Sequence, residues 1–142
     1  MFGCLFCSIV SGERKAEVVF QDDALIAFLD VHPIRAGHTL IIPRAHIAYF
    51  EDLPAETACR VLHLGQRLSR SIKRLHGTPQ VAFLFSGGAV AHAHAHVVPM
   101  HQANDITSSQ YIAEESITFR PAPRAVPQEL AATAAQLREA LE

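Results

Sequence analysis

The first third of the chain alternates short apolar, β-branched runs with clusters of turn-forming residues. Residues 17–21 and 24–30 flank Asp22-Asp23, a pattern that predicts a β-hairpin. Residues 38–43, His-Thr-Leu-Ile-Ile-Pro, follow Ala36-Gly37 and end in a proline that cannot donate to a ladder, which predicts a third short strand. The period then changes. From Asp52, a residue suited to capping a helix, with Pro54 in the first turn, apolar Ala58, Val61, Leu62, Leu68, Ile72 and Leu75 recur at helical spacing. Gly77 and then Thr78-Pro79 stop that helix. Residues 81–85 and 92–99 read as two more strands around a Ser86-Gly87-Gly88 turn. Five strands, one long helix and no alternating strand-helix-strand pattern predict an antiparallel α+β sheet. Beyond Pro99 the composition shifts through Pro121, Pro123 and Pro127 to a last amphipathic stretch, 128–142, carrying Leu130, Ala134, Leu137 and Leu141. The expected organisation is therefore one domain over 1–100 and an extension over 101–142 that packs on the same domain or on a partner copy.

Composition narrows the classes of function. At 142 residues and 49% hydrophobic, the chain can bury one good core. Its 12 Lys+Arg against 14 Asp+Glu, with no basic run, lack the electrostatic footprint of a nucleic-acid polymer, whereas a small nucleotide needs only a few local donors. No stretch approaches the ~18 apolar residues of a membrane span. The first ten residues carry no positive region and already contain two cysteines, so a cytoplasmic setting without membrane attachment is expected. In that setting thiols stay reduced. Cys59 lies in the helical pattern and reads as a small core residue, while Cys4 and Cys7 form a Cys-x-x-Cys pair suited to metal or redox chemistry.

Three of the nine histidines occupy His92-Ala93-His94-Ala95-His96. In a strand, alternate side chains share a face, so the three imidazoles are expected on one side, roughly 6.6 Å apart. Such a face makes a poor core, because buried imidazoles need polar partners and repel one another when charged. Two chemistries suit it. The rings could ligate a catalytic zinc that activates water, or one could attack phosphorus while another holds the phosphate oxygens. Strand geometry alone leaves both open.

Four segments together resemble the histidine-triad (HIT) nucleotide hydrolases and transferases. They are Cys-Leu-Phe-Cys at 4–7, Ala-Phe-Leu-Asp at 27–30, Gly-His-Thr-Leu-Ile-Ile-Pro-Arg-Ala-His at 37–46 and His-Ala-His-Ala-His-Val-Val-Pro at 92–99. The resemblance covers about residues 4–100. It implies an antiparallel five-stranded sheet with one long helix and short N- and C-terminal helices. It implies that His94 is the nucleophile, forming a transient nucleotidyl-histidine, that His96 contacts the phosphate being displaced, and that His38 lies beside it. Leu5, Phe6, Phe28 and Val31 would wall a purine and ribose pocket in which Asp30 accepts from the ribose hydroxyls. Phe28 could equally be an ordinary core aromatic, and Asp30 could cap the turn through His32-Pro33. The expected activity is that of a nucleotide phosphoramidase or dinucleoside polyphosphate hydrolase; the alternative is a zinc-stabilised nucleotide-binding protein with little turnover.

The zinc-bearing branch of the resembled family places a closed, structural Cys₂His₂ zinc on positions filled here by Cys4, Cys7, His46 and His92, which would withdraw His92 from any catalytic zinc cage. Relatives of this kind pair as homodimers through the long helix and the following strand. Two positions depart from the pattern. Gly88 stands where many relatives carry a glutamine that approaches the phosphate, and Met100 where an arginine commonly follows the proline. Ser86 and the glycine amides around Gly88 would then serve as phosphate donors, since exposed backbone N–H groups bind anions.

Overall fold

The structure, a computed structural model, describes residues 3–107, 114, 116 and 121–141. Residues 108–113, 115 and 117–120 of the connection between Pro99 and the last helix, together with the expected helix end at Glu142, lie outside the described residues. The strands are β1 (Val18–Gln21), β2 (Leu25–Leu29), β3 (Thr39–Pro43), β4 (Gln80–Phe85) and β5 (Ala95–Met100), and the helices are α1 (Leu5–Val10), α2 (Ala55–His76) and α3 (Pro127–Ala140). The strands form one antiparallel sheet in the order β1-β2-β3-β5-β4. At the predicted hairpin, Asp22 accepts the backbone N–H groups of Ala24 and Leu25 through one carboxylate oxygen, an Asx turn that reverses the chain.

β2 and β3 are buried on both faces, so their alternation sorts residues between two clusters. Leu25, Ala27, Leu29, Ile41, Ala95 and Val97 pack beneath α2 and α3 against Val61, Leu64, Leu68, Ile72, Leu130, Ala134 and Leu137. Ile26, Phe28, Leu40 and Ile42 point the other way, under Phe6 of α1. That second face carries the candidate site. Burying a side chain of this size contributes about 1.5–3 kcal/mol, so the larger cluster fixes the sheet and the smaller one seats α1.

Within α2 the buried stripe is Val61, Leu64, Gly65, Leu68, Ser71 and Ile72. The reading through Leu62 and Cys59 needs correction: Leu62 is 53% exposed and Cys59 lies on the outer face. Leu62 sits one residue, about 100° of helix, and Cys59 two residues, about 200°, away from Val61 of that stripe. Gly65 is inside because Phe83 of β4 lies across it; a Cβ there would meet the Phe83 ring at 2.4 Å. Asp52 does not cap the helix. It ends a single 3-10 turn, Phe50–Asp52, and Pro54 takes the N-cap position without a side-chain bond. Gly77 closes the helix in the left-handed conformation, as its place after the periodic run predicts.

α3 lies on α2 and β1 of its own chain. Ser71 and Arg74 donate to the Ala140 carbonyl at 2.9 and 2.8 Å, and Arg138 donates to that of Val18. Ahead of α3, the Ala125 N–H donates to the Val31 carbonyl at 2.8 Å, and the His32 ring to that of Ala122 at 2.9 Å. No helix among the described residues is long and apolar enough to cross a membrane.

Candidate functional site

β5 begins at Ala95, not at His92. Opposite its expected first residues, Pro43 has no N–H to give and its carbonyl is taken by the His92 ring, whose Nε2 donates at 2.8 Å. The backbone of 92–94 turns instead to the loop after β3, with Ala93 N–H bonded to the Ile47 carbonyl at 2.7 Å. The histidines therefore depart from even strand spacing: the His94 and His96 ring centroids are 5.0 Å apart.

His92 is fully buried and belongs to a different group from His94 and His96. Its Nδ1 lies 3.6 Å from Cys4 Sγ and 3.7 Å from Cys7 Sγ, and His46 Nδ1 lies 3.2 Å from Cys7 Sγ. The four donor atoms are all within 4.8 Å of one another. Zinc bonds of about 2.3 Å to sulfur and 2.05 Å to nitrogen, set at tetrahedral angles, place sulfur and nitrogen about 3.6 Å apart. The observed separations fit. Because Nε2 of His92 carries the proton given to Pro43, its Nδ1 presents a lone pair to the sulfurs, the orientation that an outer hydrogen bond gives to a metal-binding imidazole. Burial lowers the pKa of His92, against the opposing Pro43 bond, and keeps the ring neutral. Cys4 and Cys7 come from the start of α1, His46 from the loop after β3.

His38, His96 and Ser86 form a second chain of contacts on the sheet face beneath α1. The Ile34 N–H donates to His38 Nδ1 at 3.1 Å, which assigns the proton of the neutral ring to Nε2. That Nε2 lies 2.9 Å from His96 Nδ1 and donates to it; His96 in turn holds its proton on Nε2, 3.1 Å from Ser86 Oγ. Burial is the first cause of a lowered pKa at both rings, and His96, further opposed by His38 and His94, is pushed down to about 4. Neutral rings are what this sequence of donors and acceptors requires. It ends in the His96 N–H, which donates to Ser86 Oγ.

His94 is fixed differently. Its Nδ1 lies 2.7 Å from the His92 carbonyl, which can only accept, so Nδ1 carries the proton and Nε2 is left with its lone pair. Gly88 passes beside that nitrogen: a Cβ there would lie 3.9 Å from Nε2. Phe6 packs edge-on against His94 at 5.1 Å between ring centroids, and against Phe28 at 5.7 Å. Phe6 and Phe28 are buried, whereas Leu5 and Val31 stand exposed on either side. Asp30 Oδ1 accepts the His32 N–H at 2.8 Å, so this oxygen caps the turn; Oδ2 lies 3.8 Å from His38 Nε2. The structure thus brings His38, His94, His96, Ser86 and Gly88 together and sets Cys4, Cys7, His46 and His92 beside them as a separate group.

Sequence reasoning missed Tyr49, Phe50, Glu51 and Phe85. With Ser86, Gly87, Val90 and His94 they line a cavity of about 290 Å³. The loop holding Tyr49 and Phe50 has no strand or helix period, so only the pairing of two large aromatics in the connection marks it.

A five-stranded antiparallel sheet backed by one long helix, with histidines gathered at the β3 and β5 ends, is the HIT fold. Residues 11–103 match the HIT domain family, and the chain belongs to it. The match includes all five histidines of the site, but Cys4, Cys7 and α3 lie outside it. An uncharacterized HIT-like protein of Methanocaldococcus jannaschii is 32% identical over 106 residues, covering 71% of this chain and 81% of the relative. An adenylylsulfatase of Arabidopsis thaliana is 28% identical over 80% of this chain and 60% of its own length. Among solved structures, a zinc-bound histidine triad family protein of Mycobacterium smegmatis is 30% identical with a TM-score of 0.75, covering 98% of this chain and 93% of that one. A HIT-like protein of Bartonella henselae shares the fold at a TM-score of 0.78 and 22% identity, over 98% of this chain and 97% of that one.

Proposed function

We propose that the protein cleaves a phosphoramidate or phosphoanhydride bond to a purine mononucleotide through a nucleotidyl group carried transiently on His94. The observation that supports this most directly is the tautomer of His94, whose proton is held by the His92 carbonyl while the Nε2 lone pair is free. A neutral imidazole with one nitrogen committed to a carbonyl is a nucleophile that needs no separate base. In the first step Nε2 bonds to phosphorus, the bond from phosphorus to the leaving group breaks, and an amine leaving group takes a proton from solvent. The imidazolium so formed keeps its Nδ1 proton against the His92 carbonyl. In the second step water attacks phosphorus, the bond to His94 breaks, one proton returns to solvent, and the mononucleotide leaves.

In this reading His96 Nε2–H binds a non-bridging phosphate oxygen and His38 keeps His96 in the donating tautomer. Ser86 and the amides near Gly88 supply further donors. Leu5, Phe6, Phe28 and Val31 flank the base and ribose, with Asp30 Oδ2 for a ribose hydroxyl. Cys4, Cys7, His46 and His92 fit a structural zinc, supported by their spacing and by the zinc-bound relative of Mycobacterium smegmatis. The relative named adenylylsulfatase supports hydrolysis at an adenylyl group. We further assign residues 1–100 to the domain that holds the site and 101–142 to an extension upon it, in a homodimer.

The test is turnover of a panel of AMP derivatives by the wild type and by His94→Ala. Removing the attacking ring leaves the contacts to base and ribose, so AMP binding should survive while kcat falls by about three orders of magnitude or more. Wild-type turnover in His94→Ala refutes the histidine nucleophile. Binding of AMP with no turnover by either protein marks a nucleotide-binding protein instead.

A further inference from the structure

The cavity beside His94 has a composition that selects a leaving group. Phe50 and Phe85 pair at 4.8 Å between ring centroids, and Phe85 is braced edge-on by Phe83 at 6.1 Å. Phe83 is in turn seated across Gly65 of α2, so the outer pair stands on the core. Yet Tyr49 and Phe50 remain 52% and 54% exposed. The only ionised side chain lining the cavity among the described residues is that of Glu51; neither Lys nor Arg lines it. The cavity also includes Ser86, which touches His96, and His94 itself. It therefore adjoins two of the residues proposed to handle the phosphate.

From this we propose that the cavity is the leaving-group subsite, built for an uncharged or cationic amine bearing an aromatic ring and against polyanionic groups. This rests on the proposed function and decides between its two bond types. A nucleoside polyphosphate or sulfate leaving group carries negative charge that would meet a carboxylate and hydrocarbon, with no Lys or Arg among the described lining residues to pair it. An aromatic amine would stack on the open face of Phe50, and any positive charge on it would be drawn to the ring faces and to Glu51. The reaction is hydrolysis of the phosphorus–nitrogen bond, balanced as above: phosphoramidate and water give AMP and the free amine.

The experiment compares kcat/KM for three substrates: the AMP amidates of ammonia and of phenethylamine, and diadenosine tetraphosphate. Wild type should favour the phenethylamine amidate over the ammonia amidate by about tenfold, the scale of one aromatic stacking contact, and should cleave the tetraphosphate most slowly. Phe50→Ala should reduce the aromatic amidate about tenfold more than the ammonia amidate, and Glu51→Lys should raise the tetraphosphate relative to both. Sedimentation of Phe50→Ala runs alongside. Turnover without discrimination, or preference for the tetraphosphate, overturns this inference while leaving the histidine chemistry standing. An altered association state with all substrates lowered alike assigns the aromatic face to contact between copies and overturns it too. Turnover of none of the three by the wild type overturns both readings.

Discussion

Acid should destabilise this protein through His96 in a way that a single substitution removes. An unfolded imidazole titrates near 6.5, whereas burial and the neighbouring His38 and His94 push His96 down to about 4 in the folded chain. A lowered folded-state pKa means that unfolding takes up a proton between these values. The contribution is therefore complete above pH 6.5 and is lost as pH falls from 6.5 towards 4. Each pH unit in that window costs about 1.4 kcal/mol, so by pH 5 the folded state has lost about 2 kcal/mol relative to pH 7.5. His96→Gln keeps an acceptor for His38 and a donor for Ser86 but cannot titrate. Urea unfolding of both proteins at pH 7.5 and pH 5, with zinc held in excess, gives the difference of differences and cancels acid effects elsewhere. His96→Gln should lose about 2 kcal/mol less than the wild type over this range. Equal losses would mean that His96 is solvated and free to charge, which would remove the physical basis for a neutral His38–His96 donor chain.

Other expectations follow from particular contacts. Purified without chelator, the wild type should carry one zinc per chain, and Cys4→Ser or Cys7→Ser should lose both that zinc and thermal stability, because binding energy at a structural site is folding energy; metal analysis that finds none, or unchanged melting of the mutants, refutes the ligand set. Gly65→Ala gains about 1 kcal/mol of helix propensity but drives a methyl to 2.4 Å from Phe83, and overpacking of about 1–3 kcal/mol should prevail. Its melting temperature should fall by a few degrees and recover in the double mutant with Phe83→Leu; a rise in Gly65→Ala alone would show that Phe83 yields freely. β4 is a sheet edge and Leu62 of α2 is exposed, and an unpaired edge is an aggregation hazard. Sedimentation should therefore give twice the 15.5 kDa chain mass, and a monomer at micromolar concentration refutes the homodimer.

The helical period of the apolar residues was enough to find the long helix and α3, whereas the strands were found as short apolar runs between turn residues, because β2 and β3 are buried on both faces and show no alternation. Neither signal was enough to place ends or faces. Leu62 is as apolar as Leu64, and the packing of α2 on the sheet and on α3 decides which of them is covered. The Asp52 side chain is chemically able to cap a helix, but Pro54 fixes the entry and Asp52 goes to the 3-10 turn before it. α1 has six residues, too few to show a period, so it was expected from the resemblance of Cys-Leu-Phe-Cys to a known family and not from amphipathicity. The histidines were legible as residue types and misplaced as geometry, because a proline on the neighbouring strand broke the ladder they were assumed to extend.

That break is what allows residues two apart to do unlike things. In an unbroken strand the His92 carbonyl would be spent on the ladder or on solvent, and His94 would have no fixed proton position. Here the His92 ring is drawn to the two sulfurs and to Pro43, its backbone leaves the ladder, and its carbonyl is free to take the His94 Nδ1 proton. One residue thus belongs to both groups, by its side chain to the Cys₂His₂ set and by its backbone to the proposed nucleophile. The order of the His-x-His-x-His segment follows from this. The first ring must be buried and turned towards the sulfurs so that the second is oriented by its carbonyl. The third must be in β5 proper, where Ala95 and Val97 anchor it in the core and its pairing with Leu40 brings its ring against that of His38.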